Sequence, residues 1–283
     1  MTCPVLTDDI KTTYKTPTKD EYKSKAFLMA LLHDAEKAVK YAPMPQFGKD
    51  GNSKIHHRGS KAMTLVYSGL AWHDCMPTAG CNSCYAMKFN YLNNHGWRKG
   101  SSYIYSYMAR FHPELLGEII EAEIRKKHKD VKRLRMQLAT RIHEAGDYLS
   151  VEHVKMWHRI IKLFPDVIFW AYTRSDIQPG PIQDAILEMA KEPNLHIRAS
   201  QDPSEPNQVI LERNGMPSAV IVGKVKRGGK KTDDNPKGKK LVGKMHVPGT
   251  INCPEQMTFG KVGCADCGLC WHPSKPVIRF WEH

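Results

Sequence analysis

The sequence predicts an α/β protein built on a parallel sheet, either open or closed into a partial or complete (β/α) barrel of the TIM-barrel kind, with a cysteine-rich carboxyl-terminal extension. Three observations predict it. Strand-like and helix-like stretches alternate at least four times at βαβ spacing. Residues 167–172 form a nearly continuous apolar run, the pattern of a strand covered on both faces. Seven of the 8 cysteines fall into two groups, one early in the βα alternation and one at its end.

The elements follow in order. After a polar arm, Thr18-x-x-Glu21 reads as a capping box, and Phe27, Leu28, Leu31, Leu32, Ala35 and Val39 recur at helical spacing up to Pro43. A glycine-bearing loop over 48–59 contains Gly51-Asn52-Ser53-Lys54. Met63, Leu65 and Tyr67 then alternate as a strand that ends near Trp72. Residues 85–94 read as helical. Pro113 opens a clearer helix, with Leu115, Leu116, Ile119, Ile120 and Ile124 on one face. Leu134, Met136 and Leu138 alternate as a strand stopping at Thr140-Arg141. Ser150 caps a helix whose stripe is Val151, Val154, Trp157, Ile161 and Phe164. A helix over 181–190, a strand over 195–199, a helix over 207–213 and a strand over 219–222 complete the core. The expected organisation is an amino-terminal arm and helix (1–47), a βα-repeat core (48–249) and a four-cysteine metal-binding segment (250–283).

Charge is localised. The formal net charge is +13. Residues 125–135 carry seven basic side chains and one acid, and residues 224–244 carry nine and two, so these two segments account for the whole excess. Such local basicity is the electrostatic footprint of a polyanion, and it also describes a solvated helix end and a solvated loop. Residues 224–244, with four glycines and a proline, have the composition of a mobile loop. The expected partner is a nucleic acid or nucleotide, bound through 125–135 and 224–244, or a host protein. Tyr103, Tyr105 and Tyr107 either stack on bases or pack in the core.

No apolar stretch approaches the roughly 20 residues that span a bilayer, so no membrane association is expected. The start, MTCPVLTDDIK, lacks a charged region followed by an apolar one, which predicts no secretory signal and a cytoplasmic location. In that compartment thiols stay reduced, and grouped cysteines read as metal ligands.

The first group, Cys75-x5-Cys81-x2-Cys84, sits between a strand and a helix, with Pro77 and Gly80 supplying tight bends. A [4Fe–4S] cluster needs four ligands. Three cysteines leave one iron open to a substrate or cofactor, unless Cys3, His73 or Asp74 closes it. The second group is Cys253-Pro254 followed by Cys264-x2-Cys267-x2-Cys270-Trp271. Its packed x2 spacings favour a second iron–sulfur cluster, with tetrahedral zinc as the alternative. Trp271 beside Cys270 would shield such a cluster from water.

Gly51-Asn52-Ser53-Lys54, the loop ending Cys84-Tyr85-Ala86, Arg141-x-His143-x-x-Gly146-Asp147, Tyr172-Thr173-Arg174-Ser175 and the closing cysteine run resemble, in that order, the phage gene product 88-like family over residues 48–272. That resemblance implies a viral, iron–sulfur protein, in the host cytoplasm if phage-encoded. More distantly, a three-cysteine loop after the first strand of a βα repeat is similar to the radical S-adenosylmethionine superfamily, although the x5 gap departs from the usual x3. This second resemblance implies a radical-SAM-like barrel in which the open iron chelates S-adenosylmethionine and reductive cleavage yields a deoxyadenosyl radical. It implies a role for Gly146 and Asp147 in holding the methionine amine.

Strand-end residues supply the remaining candidates. Arg141 and His143 are expected as catalytic groups, the histidine as a proton carrier near neutral pH. Thr173, Arg174 and Ser200 are expected, with Gly146 and Asp147, to bind the cofactor. Two non-enzymatic readings stand beside this one. The first is a structural iron–sulfur or zinc protein that binds nucleic acid or a host protein, and the second is an electron-transfer module with both clusters fully ligated.

Overall fold

The computed structural model describes residues 47–50, 62–69, 74–75, 105–106, 108–201, 211–229, 232, 238–243, 248–259, 261–272 and 276–282. The expected first helix, the helix over 85–94, and Cys3, His73, Cys81 and Cys84 lie outside the described residues, as do Tyr103 and Tyr107.

Strands β1 (Lys49–Asp50), β2 (Ala62–Val66), β3 (Gln137–Ile142), β4 (Ile168–Thr173) and β5 (Leu195–Ser200) are joined through α1 (Pro113–Arg133), α2 (Val151–Leu163) and α3 (Pro181–Met189). Then follow β6 (Glu212–Arg213), β7 (Met216–Arg227), β8 (Lys239–Gly243), β9 (Thr250–Asn252) and β10 (Val277–Glu282). Among the described residues the main strand order is β1-β2-β3-β4-β5-β7-β10-β9. Every neighbouring pair from β2 to β9 along that path is parallel, and β1 is antiparallel at the edge. The parallel sheet curls into a half-barrel, which realises the partial form of the expected barrel. The carboxyl-terminal residues add β9 and β10 to this sheet.

Strand periodicity separates the two faces. Leu138, Ile142, Phe169, Ala171, Leu195 and Ile197 join Ile120, Trp157, Ile160 and Ile186 of the helices in the main core. The inner face carries Val66, Arg141, Trp170 and His196 in one row across four strands. The next row places Tyr172 beside Arg198.

Local chemistry explains the boundaries. Ser150 has extended backbone and its Oγ accepts from His153 N at 3.1 Å, starting α2 as the sequence predicts. The Ser150→Ala variant is expected to lose about 1 kcal/mol of stability, read from the urea midpoint at unchanged m-value. Pro113 and Pro181 each occupy a first helical turn, where a missing N–H costs nothing.

Three expectations are corrected. Leu134 and Arg135 belong to the turn after α1, with Arg135 at φ 55°, so β3 starts only at Gln137. The helix expected over 207–213 fails at its described end: Glu212–Arg213 is a strand pairing antiparallel with β7. Asn214 (φ 54°) and Gly215 (φ 74°) form the left-handed corner that Asn-Gly favours in two-residue hairpins. The basic 224–244 stretch, expected as a loop, contains paired strand. Gly223 to Arg227 of β7 faces Gly243 to Lys239 of β8, because Val225 and Leu241 supply β propensity at its centre.

Candidate functional site on the inner face of the half-barrel

Two short turns carry the carboxyl-terminal thiols onto the inner face. Cys264–Cys267 is a single helical turn, ended by Gly268 at φ 64°, and Leu269–Trp271 is a 3₁₀ turn. A left-handed residue between Cys267 and Cys270 reverses the chain within an x2 spacing, which glycine allows without strain. Trp271 seats its ring 4.6 Å from that of Trp170 on β4. Val66, Ala139, Trp170 and Trp271 make a small second core, and Cys264 and Cys270 pack against it.

Arg198 on β5 fixes this segment. Its side chain is 1% exposed, and its guanidinium donates to the carbonyls of Leu269 (3.1 Å), Cys270 (3.4 Å) and Pro276. Tyr172 Oη donates to Cys270 Sγ at 2.8 Å, and the Arg141 guanidinium lies 5.4 Å over the Tyr172 ring. Burial raises the Cys270 thiol. The Tyr172 hydrogen bond and the charges of Arg198 and Arg141 pull it back down. Burial also raises Cys264 and Cys267 and pushes Cys253 up to about 12. The backbone amides of Gln256 and Glu255 oppose this at Cys253, and that of Leu269 opposes it at Cys267. The thiols lie close enough for charge on one to disfavour charge on another, linking Cys253, Cys264 and Cys267 each to Cys270. Among the described residues, no three His, Cys, Asp or Glu side chains already surround a common point at ligand distance.

The first cysteine group is described only at Cys75. Asp74 beside it is buried, accepts from Ser106 Oγ and lies 3.9 Å from Arg110. Gly146 (φ 81°) presses against it: a Cβ there would meet Asp74 Cβ at 3.1 Å and Gly69 Cα at 3.2 Å. Gly146 therefore closes the seam between the carboxyl ends of β2 and β3, where Cys75 emerges.

Asp147 binds the protein itself. Its carboxylate accepts from Tyr148 N (2.8 Å), Thr173 Oγ1 (2.7 Å), Arg174 N (2.6 Å) and Ser175 N (3.2 Å). Burial raises this carboxyl against the pull of those four bonds. A carboxylate has about four acceptor positions, and these are taken. Asp147, Thr173 and Arg174 are thus brought together as a clamp between the ends of β3 and β4. Ser200 ends β5, and its carbonyl lies 3.4 Å from Arg213 Nη2. The hairpin docks beside the clamp through Arg213, which grips the buried Asp176 with two 2.7 Å bonds.

His143 departs from the inner face. Its backbone is left-handed (φ 58°), and its ring packs 4.8 Å from that of Tyr148 and 6.3 Å from that of Trp157. Tyr105 Oη gathers Trp157 Nε1 (2.9 Å), His143 Nε2 (3.1 Å) and His153 Nε2 (3.2 Å). His153 Nδ1 accepts from Leu149 N at 3.4 Å, so His153 carries its proton on Nε2 and donates to Tyr105. Tyr105 then donates to His143 Nε2, leaving the His143 proton on Nδ1, which meets no hydrogen-bond partner among the described residues. Burial holds His143 far below 6.5 and His153 at about 3, so both are neutral at pH 7. Tyr105 is 1% exposed and belongs to the core rather than to a base-stacking surface.

Sequence reading missed Arg198, Asp176 and the Tyr105–His153–Trp157 group. The signal for Arg198 was a lone cation inside the otherwise inward strand Leu-His-Ile-Arg-Ala.

Fold and inner face together define an α/β half-barrel whose concave side is lined by thiols, two arginines and a tyrosine. The chain belongs to the family described as Gene product 88, whose model matches residues 30–273. It is similar to the Gene 88 protein of Mycobacterium phage D29, 30% identical over 158 residues, covering 53% of this chain and 58% of that protein. It is also similar to the Gene 88 protein of Mycobacterium phage L5, 31% identical over 171 residues, covering 58% and 62% respectively. The chain thus spans less than two thirds of the curated phage relatives it matches. No solved structure matches it. Among the described residues, no helix is long and apolar enough to cross a membrane.

Proposed function

We propose that this protein is a phage iron–sulfur protein of the host cytoplasm in which Cys253, Cys264, Cys267 and Cys270 hold a cluster on the inner face of the half-barrel. Cys75, with Cys81 and Cys84, holds a second, three-cysteine [4Fe–4S] cluster with an open iron. The donor set aimed at sulfur carries the reading. Tyr172 Oη donates to Cys270 Sγ, and nearby backbone amides draw the Cys253 and Cys267 thiols down against the burial that raises them. Such donors favour thiolate, whereas burial alone keeps a thiol protonated and inert. Binding a metal resolves this conflict by deprotonating the sulfur outright.

The enzymatic form of the proposal is a radical-SAM-type reaction. Its support is a parallel half-barrel with the three-cysteine loop opening after β2, the first strand of the parallel run. A bound S-adenosylmethionine would supply the radical chemistry. This chain's residues would position it, with the Arg141 guanidinium on the inner face 5.4 Å over the Tyr172 ring and close enough to draw down the Cys264 and Cys270 thiols. Asp147 takes no part, because its acceptors are filled from within the chain. The basic segments favour nucleic acid over a host protein as the partner.

Anaerobic purification followed by iron, sulfide and zinc analysis tests the proposal. Two clusters' worth of iron and sulfide is expected, falling by about half in Cys270→Ser, and S-adenosylmethionine is expected to change the reduced EPR signal. Zinc alone would leave a non-catalytic zinc protein. Iron with no response to S-adenosylmethionine would leave an electron-transfer module.

A further inference from the structure

The β7–β8 ribbon places like charges directly across from each other. Lys226 faces Lys240 in register, and both are exposed. Opposed like charges weaken an antiparallel pair. At the neighbouring position Val225 faces Leu241, so the apolar pairing of the ribbon is supplied without this lysine pair. A ribbon that accepts this repulsion gains when polyanionic phosphate lies against it.

We infer that this ribbon is a duplex-DNA-binding element that enters the major groove, an inference that rests on the nucleic-acid reading above. Shape selects the form of nucleic acid. β10 pairs with β7 as far as Lys224, so the ribbon is two-stranded from Val225–Arg227 against Leu241–Lys239, three paired positions or about 10 Å at about 3.4 Å per residue. The B-form major groove, about 12 Å wide, admits a two-stranded ribbon, whereas the deep, narrow major groove of A-form RNA does not. Composition points the same way. Residues 222–244 contain no Phe, Tyr, Trp or His. Single-strand binders hold bases on aromatic rings, and the buried Tyr105 offers none. The ribbon therefore meets phosphates on the groove walls with lysine. The last turns of α1, with the exposed Lys126 and Lys129, form a second basic surface on a different element.

Fluorescence anisotropy on the full chain tests this, with a labelled 20-base-pair DNA duplex, one of its single strands and the matching RNA duplex, each across a salt series. The DNA duplex is expected to bind most tightly. Lys226→Glu/Lys240→Glu is expected to weaken it by about tenfold or more and to reduce the slope of log affinity against log salt by about 2, near 0.9 for each phosphate contact. The uncharged pair Lys226→Gln/Lys240→Gln should weaken it less, in the same direction. The single variant Lys226→Glu supplies an opposed readout: it removes the cross-strand repulsion, so its melting temperature should rise while its DNA affinity falls. Tighter binding to the single strand or the RNA duplex overturns the inference. So does undiminished DNA binding in the ribbon variants with loss in Lys126→Glu/Lys129→Glu, an outcome that leaves the nucleic-acid reading standing. Absence of binding to all three probes at low salt sinks that reading and the inference together.

Discussion

Replacing Arg198 by alanine is expected to remove about 3–5 kcal/mol of stability and to release the carboxyl-terminal cysteines from the inner face. The guanidinium is a buried cation whose bonds go to three carbonyls of a segment some seventy residues away in sequence. Deleting it takes the arginine donor from the Cys270 and Pro276 carbonyls, at roughly 1–3 kcal/mol for each group left buried and unpaired, while Leu269 O still accepts from His272 N at 3.3 Å. It also opens a cavity beneath the turn that carries Cys270. Other anchors on the strands among the described residues include the Trp170–Trp271 contact, the Tyr172–Cys270 hydrogen bond and the packing of Cys264 against the second core. Losing Arg198 should therefore make residues 261–272 the first site of proteolytic cleavage and lower the metal content of the carboxyl-terminal centre. Arg198→Lys restores a charge but not the planar fork that reaches three acceptors, so it should recover only part of the loss. Urea denaturation of the metal-free chain separates the two effects. A stability change below about 1 kcal/mol there would mean that the three hydrogen bonds are not what secures the segment.

The contrast between Arg198 and the proposed metal ligands shows where sequence reading reaches its limit. Cys264, Cys267 and Cys270 stand out by spacing, because a metal held as proposed would impose a local geometry that the chain must meet within a few residues. Arg198 answers to a partner segment distant in sequence, and no local rule reports it. The same division runs through the fold. Ser150, Pro113 and Pro181 mark helix starts because the orphan N–H groups they serve are local. The parallel run from β2 to β5 was legible from the alternation of apolar stretches. The partnering of β10 with β7, and of β9 with β10, was not, since parallel pairing leaves no signal in the loop that joins the strands. At Asn214-Gly215 the hairpin signal was present, and the apolar spacing before it was read as helix instead. Asp147 illustrates a third case. Its position at a strand end suggested a ligand-binding carboxylate, but Thr173 and the turn after it satisfy the same acceptors. A buried acid looks alike in sequence whether it serves a ligand or its own chain.

The acid response of the molecule should be dominated by the Tyr105 network. In the unfolded chain each imidazole titrates near 6.5. In the folded chain burial keeps His153 neutral until about pH 3, and His143 is likewise held far below its ordinary value. Between the two ranges the unfolded state binds more protons than the folded state, so stability rises with pH and is lost as pH falls. The contribution is complete above about pH 6.5, and by pH 4.5 the loss from His153 is roughly 3 kcal/mol, with a further loss in the same direction from His143. The geometry supplies the reason for the resistance. A proton added at His153 Nδ1 would face the Leu149 N–H that now donates to it. A second proton on His143 would have to be carried at a site enclosed by Tyr148, Trp157 and Tyr105. Urea titrations between pH 4.5 and 7 should show net proton uptake on unfolding, about one proton of it from His153 and more from His143, opposed by the raised Asp147 carboxyl. Replacing His153 by phenylalanine should reduce that uptake by about one proton while lowering stability at pH 7, since Tyr105 loses a donor. A flat profile over that range in the unmodified chain would mean that both imidazoles titrate normally, and that the network is open to water.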